Sequence, residues 1–278
     1  MFNFLHAFQP NPILIALGPI TVYWYGLFVV GGILACFYIM LKLAEYYDID
    51  KNKLVDIGFW IILFGIIGAR LYHVGLEFSY YRANPINIFK IWNGGIAIHG
   101  AIIAGSLTAY FLVKKYEMNF WKLAALCVPG MALGQAIGRW GNYFNQELYG
   151  LPTSQPWGIP ISAINKVPEY YNYAFFQPTF LYESIGNIII FLILISLQIW
   201  MIRKKKLEHF YFVLCAMLYL MLYSVLRFST EFIRIDFTAT LFGIRFPQIM
   251  SIMLFTGSAI FLAYTWKKSR KIHPLKNI

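Results

Sequence analysis

The chain has 278 residues, 59% hydrophobic, 19% aromatic and only 13% charged, with a formal net charge of +11. Soluble domains carry about 25% charged residues, so this composition excludes a water-soluble globule. It predicts an all-α, polytopic membrane protein with one transmembrane domain over residues 1–278.

Apolar stretches of spanning length, roughly 18–22 residues, recur near 20–41, 57–78, 96–113, 121–141, 179–201, 210–228 and 247–266, predicting about seven helices. Residues 1–41 contain no Lys or Arg. A signal peptide needs a basic segment ahead of its apolar core, so the first run reads as a retained helix. Between the fourth and fifth runs lies the longest extramembrane piece, about 142–177, rich in Pro, Gly, Tyr and Asn.

Seven spans would put the termini on opposite sides. One set of ends and loops holds 15 of the 23 Lys and Arg residues, among them Lys51, Lys114, Arg203–Lys206, Lys267 and Lys276. The positive-inside rule then places the C-terminus in the cytoplasm, with the N-terminus and the 142–177 loop outside. The positive charge follows from this topology and from anionic lipid at the cytoplasmic face, so no nucleic-acid partner is expected. Cys36, Cys127 and Cys215 all fall inside the runs and read as small apolar core residues. There is no CxxC, HExxH or clustered His/Cys spacing, no P-loop and no GxSxG. No metal or cofactor is expected.

Six of the eight cations expected on or near the outer side are arginines: Arg70, Arg82, Arg139, Arg227, Arg234 and Arg245. Arginine presents a planar fork that grips phosphate or carboxylate, which lysine does not. Ionisable groups inside a span are costly and point to function. The fourth run ends in GRWGNYFNQELYG, Gly138–Gly150. Arg139 and Asn142 share a helical face, and Asn145, Gln146 and Glu147 follow. These residues either cap the helix and tie the loop or line a site. The preceding Gly130, Gly134 and Gly138 form a small-residue series suited to close helix packing.

Tyr223, Arg227 and Glu231 recur every four residues on one stripe, which allows a simple intrahelical ion pair between the last two or a place for a bound anion. His99, in Trp92-Asn-Gly-Gly-Ile-Ala-Ile-His-Gly-Ala, reads either as a core histidine or, given its glycines, as a ligand-facing one. Gly65, Gly68, Arg70 and His73 are a weaker case, with Arg70 expected to pair with Glu77 or Glu183. Together these residues predict an outward-facing polar pocket for an anionic headgroup. They leave an enzyme, an exporter of anionic lipid and a passive lipid-binding scaffold all open.

GRWGNYFNQELYG closely resembles the signature of the prolipoprotein diacylglyceryl transferase family, roughly GRxGNFxNxExxG. The resemblance extends through Trp24-Tyr25-Gly26, Gly68-Ala-Arg70, Gly94-Gly95…His99-Gly100, Pro178-Thr-x-Leu-Tyr182-Glu183 and Arg227-Phe…Glu231-Phe-x-Arg234, in family order and over nearly the whole chain. Departures are Gln177, where several relatives carry His, Leu151, where an arginine is familiar, and Ala101, in place of a second glycine.

The resemblance implies transfer of a diacylglyceryl group from phosphatidylglycerol to the lipobox cysteine thiol of a preprolipoprotein signal peptide. A thioether forms and glycerol 1-phosphate is released, the first step of bacterial lipoprotein maturation, in the cytoplasmic (inner) membrane with the site toward the exterior. It implies His99 as base, Arg139 and Arg227 as stabilisers of the leaving phosphate, and Tyr25 and Tyr223 as tyrosines of the catalytic site. Arg139, Asn142, Glu147, Gly150, Arg227 and Glu231 would bind phosphatidylglycerol. The competing reading is a non-enzymatic phospholipid or anion translocator. Such a protein would show symmetric halves and helices interrupted near the midplane. The sequence has no matching halves, and its polar residues gather toward one face.

Overall fold

Each long apolar run folds as a helix, because a chain in hydrocarbon must satisfy its backbone polar groups internally. The computed structural model describes residues 2–18 and 20–272; Lys276, one of the predicted cytoplasmic cations, lies outside them. In chain order the helices are α1 (Phe2–Ala7), α2 (Trp24–Ala44), α3 (Lys51–Leu76), α4 (Phe78–Ala83), α5 (Ile98–Lys115), α6 (Phe120–Phe144), α7 (Thr179–Arg203), α8 (His209–Thr230) and α9 (Phe246–Ile272). Three two-stranded antiparallel ribbons join them: β1 (Ile13–Leu17) with β2 (Ile20–Tyr23), β3 (Ile159–Pro160) with β4 (Phe175–Phe176), and β5 (Thr240–Leu241) with β6 (Ile244–Arg245).

Six of the described helices, α2, α3 and α6–α9, are long and apolar enough to cross a membrane, and the protein is a polytopic membrane protein. The run predicted at 96–113 is α5. It has 18 residues, about 27 Å at 1.5 Å per residue, but Gly100, Gly105, Ser106, Thr108, Lys114 and Lys115 dilute its apolar content and leave it outside that set.

The chain divides into two compact units, one formed by the residues up to Met40 together with those from Ala124 on, the other by Leu41–Leu123. In the larger unit α2 meets α6 through glycines. A β-carbon added at Gly134 would lie 2.9 Å from the Gly32 carbonyl oxygen, and one at Gly130 would lie 2.7 Å from that of Cys36. Only backbone-to-backbone contact fits there. Gly138, the third of the series, has open space where its β-carbon would be. α7 is bound to α6 through Ser184 Oγ, donating to Ala136 O (2.9 Å), and Gln198 Nε2, donating to Ala125 O (2.6 Å). Buried Cys215 packs with its Sγ 3.4 Å from Met201 Sδ, and Cys127 lies 3.5 Å from Met40 Sδ.

The stretch from 142 to 177 is a folded cap around Leu5, Tyr143, Tyr149, Ile159, Ile161, Phe176 and Phe180. α1 joins it through His6, whose ring stacks on Phe175 (3.6 Å) and whose Nδ1 donates to Gly158 O (3.0 Å). In the smaller unit α3 and α5 pack closely, and side chains cap the starts of α3 and α6. Asp50 accepts from Asn52 N (2.8 Å), and Asn119 accepts from Trp121 N (2.9 Å) and Lys122 N (3.1 Å), satisfying helix-end donors.

Candidate functional site

The last turn of α6 carries Arg139 and Asn142 on one face, as the i, i+3 spacing requires. Arg139 Nη1 donates to Asn142 Oδ1 (3.2 Å), and Asn142 Nδ2 donates to Glu147 Oε1 (2.7 Å). Asn142 is buried and Glu147 exposed, so the asparagine links a guanidinium to a carboxylate at the surface. Arg139 Nε also pairs with Glu183, from the second turn of α7. Glu183 gathers Arg227, from the end of α8, at 3.6 Å, and Arg234, from the segment after α8, at 3.1 Å.

Around this centre runs a second ring of charge. Glu231 pairs with Arg227 one turn before it (2.8 Å) and with Arg245 from β6 (2.8 Å). The intrahelical pair allowed by the spacing is therefore present, inside a larger network. Arg234 Nε donates to Asp236 (2.8 Å), and Arg245 donates to the carbonyls of Arg234 (2.6 Å) and Asp236 (2.7 Å). Burial works against the Arg234 charge, but Glu183 and Asp236 outweigh it and hold its pKa above the ordinary arginine value.

Arg139, Arg227, Arg234 and Arg245 thus face Glu183, Glu231 and Asp236, four cations to three anions. The side chains of Glu183 and Glu231 are 4% and 0% exposed, those of Arg139 and Arg227 20% and 19%. The carboxylates lie deepest and the two arginine side chains stay partly exposed, while Glu147, reached through Asn142, adds a fourth carboxylate at the surface. Such an arrangement can hold a phosphate or carboxylate bidentately.

The rest of the signature ties the cap. Gln146 and Leu148 adopt left-handed backbone (φ 53° and 56°), turning the chain off α6. Gln146 Nε2 donates to Pro10 O (2.7 Å), and its Oε1 accepts from Ser162 N (2.6 Å). Tyr149 Oη donates to Asn165 O (2.7 Å) and accepts from Val167 N (2.9 Å). Gly150 donates to Gln177 O (2.9 Å), and a β-carbon there would lie 2.9 Å from Ile233 O. The residues of GRWGNYFNQELYG divide in two: Arg139, Asn142 and Glu147 join the charge cluster, while Gln146, Tyr149 and the Gly150 backbone fasten the loop.

Tyr25, at the start of α2, lays its ring over Gly141, where a β-carbon would lie 2.8 Å from Cδ2. It remains 39% exposed, and Asn142 is the next residue on α6. Tyr223 lies one turn before Arg227 and stacks on Tyr219 (6.0 Å), whose hydroxyl donates to Gln135 (3.0 Å).

These residues all belong to the larger unit; His99 belongs to the smaller. His99 sits in the first turn of α5, exposed, with its ring 6.0 Å from that of Tyr72, so it is not a satisfied core histidine. The expected pairing of Arg70 with Glu77 or Glu183 is incorrect. Arg70, 6% exposed, donates to the carbonyls of Ile88 (2.9 Å), Gly94 (2.7 Å), Gly95 (2.6 Å), Lys90 (3.4 Å) and Asn87, and lies over the Tyr81 ring (5.0 Å). Two short 3₁₀ turns and two glycines at φ 82° and 75° leave these carbonyls free to converge, and Glu183 is committed elsewhere. Sequence reasoning also missed the central position of Glu183 and the parts of Arg234, Asp236 and Arg245. The bias to arginine on the outer side was the available signal for the two arginines.

The family profile described as prolipoprotein diacylglyceryl transferase matches residues 12–264 of the chain. A phosphatidylglycerol–prolipoprotein diacylglyceryl transferase of Synechococcus sp. (strain CC9902) is 40% identical over 271 residues, 95% of each chain. The protein of that name from Nostoc sp. (strain PCC 7120) is 39% identical over 274 residues, covering 97% of this chain and 93% of its own. That of Halalkalibacterium halodurans is 38% identical over 256 residues, covering 91% and 85%.

Proposed function

The chain belongs to the prolipoprotein diacylglyceryl transferase family, and from that premise we propose that it transfers the diacylglyceryl group of phosphatidylglycerol to the lipobox cysteine of a preprolipoprotein. The observation that carries this reading is the convergence of Arg139 and Arg227, from separate helices, on the buried Glu183, with about one-fifth of each arginine side chain left exposed.

The cysteine sulfur, as thiolate, attacks the glyceryl carbon that bears the phosphate. A carbon–sulfur bond forms, the carbon–oxygen bond breaks, and glycerol 1-phosphate leaves. The phosphodiester carries one negative charge and the departing monoester approaches two, so the arginines pull harder in the transition state than on the bound lipid. A free thiol titrates near 8.5, and a base that takes its proton helps at neutral pH; His99 is that base. Asn142 and Glu147 orient Arg139 and the headgroup hydroxyls. Glu231 sets Arg227, Gly150 closes the loop that presents Glu147, and Tyr25 and Tyr223 complete the site.

The decisive experiment incubates the purified protein with phosphatidylglycerol and a lipobox peptide. A diacylglyceryl mass gain on the peptide with release of glycerol phosphate supports the proposal, and neither product appearing overturns it. The bias of basic residues supports a bacterial cytoplasmic-membrane protein with the site and the 142–177 cap outside. Reporter fusions after residue 205 should then read as cytoplasmic and one near 165 as exterior; a cytoplasmic signal at 165 would reverse the topology.

A further inference from the structure

We infer that Arg70 is a positioning residue for His99, acting through the backbone it cages rather than by touching substrate; this rests on the reading of His99 as base. Three consecutive residues of α3 grip the chain on both sides of that histidine. Gly68 abuts Gly100: a β-carbon at Gly68 would lie 2.7 Å from the Gly100 carbonyl oxygen. Ala69 O accepts from Ala97 N (3.0 Å). Arg70 takes five carbonyls from Asn87 to Gly95, the segment that feeds α5.

The partners explain why arginine is needed. A guanidinium has five N–H donors in a fixed plane, and five bonds leave it here in three directions. A lysine ammonium has three donors around one point and cannot hold the same carbonyls. A structural ion pair would need one carboxylate; this cage instead converts the charge into a defined shape for a segment with little regular hydrogen bonding of its own. Gly95 is part of the fit. Its φ is 75°, and a β-carbon would lie 2.5 Å from Arg70 Nη1 and 2.8 Å from His73 Cδ2. The His99 side chain, exposed beside Tyr72, then depends on backbone placement for its reach, and proton transfer is sensitive to shifts of this kind.

The test compares the wild-type full-length protein with Arg70→Lys and Gly95→Ala, each also made in a His99→Gln background. Transfer kinetics are measured with phosphatidylglycerol and a lipobox peptide. Independently, the rate at which diethyl pyrocarbonate modifies His99 is followed by mass spectrometry of the folded protein. Both single variants should lower kcat by about tenfold or more, as small misplacements do, with KM for phosphatidylglycerol within about twofold. In the His99→Gln background the same changes should cost less than about twofold, because they act through the missing group. The His99 modification rate should change severalfold in both. Gly95→Ala keeps the arginine and carries the test should Arg70→Lys not be recovered from the membrane. Unchanged kcat, equal losses with and without His99, or an unchanged modification rate would each overturn the inference. Failure of the wild type to make thioether would instead sink the assigned reaction, while the modification rates would still report the coupling.

Discussion

Arginine serves two different ends in the two units. Arg70 is surrounded by neutral carbonyls and keeps no donor edge for a ligand. Arg139 and Arg227 are paired with Glu183 and Glu231, and each keeps about one-fifth of its side chain exposed. Carbonyls satisfy a cation only by surrounding it, whereas one carboxylate offsets the charge and occupies at most two N–H groups of any one guanidinium. On the proposed function, carboxylate partners leave arginines able to meet a ligand, and a carbonyl cage makes an arginine a fastener. Buried ion pairs add little net stability, so the value of the first arrangement lies in placement.

The largest test of that distinction is Asn142→Asp. The change turns the donor facing Glu147 at 2.7 Å into a second carboxylate and adds negative charge beside the exposed arginine edge. Near-complete loss of transfer is expected at normal membrane abundance; substantial activity would reduce Asn142 to a helix-end cap. Next is His99→Gln, expected to cost about a hundredfold near pH 7, in the range for a general base. That loss should shrink as pH rises toward about 8.5, where solvent supplies thiolate. Defects at Arg139 should stay level over the same range, since they do not act on the supply of thiolate. A flat pH profile for His99→Gln would assign it placement, not proton transfer.

Smaller effects are expected from Arg139→Lys and Arg227→Lys, which keep charge but lose the fork. Each should slow transfer by roughly tenfold or more, about 1.4 kcal/mol per decade. Because both meet Glu183, the double variant should lose less than the sum of the two penalties. Strict additivity would separate their purposes and break the idea of one shared anion. Smallest is Gln146→Asn, which is too short for Pro10 O and Ser162 N and should destabilise the cap by about 1 kcal/mol. Its turnover per folded molecule should be unchanged, and a large kcat defect there would extend the site into the residues assigned to fastening.

What was legible in the sequence follows from what sequence can encode. Each of the seven apolar windows falls mostly on a helix, since hydrocarbon leaves the backbone little alternative, although the first begins in β2. Arg139 with Asn142, and Tyr223, Arg227 and Glu231, were legible because helical spacing puts them on one face. The Arg70 cage was not, because its partners are peptide carbonyls that every residue carries. Arg245 and Asp236 reach Glu231 and Arg234 from a turn and a two-residue strand, without periodicity to announce them. The 142–177 cap reads as loop because its strands are two residues long and its core draws on Leu5 as well as Phe180. Tyr25 was placed by family resemblance alone, and only the structure shows its ring resting on Gly141.

The end of the signature is joined to the far side of α8: Leu151 N donates to Ile233 O (2.8 Å), and Gly150 bridges Arg234. On the ribosome, residue 150 emerges some eighty residues before its partner, a wait of roughly 4 to 17 s at about 5–20 residues per second. Until then the Leu151 N–H lacks its Ile233 partner, and Glu183, once made, lacks Arg227 and Arg234. The centre is therefore assembled late in synthesis, after α8 has been threaded, and a chain interrupted before residue 233 would insert most of its helices while leaving this segment open to proteases.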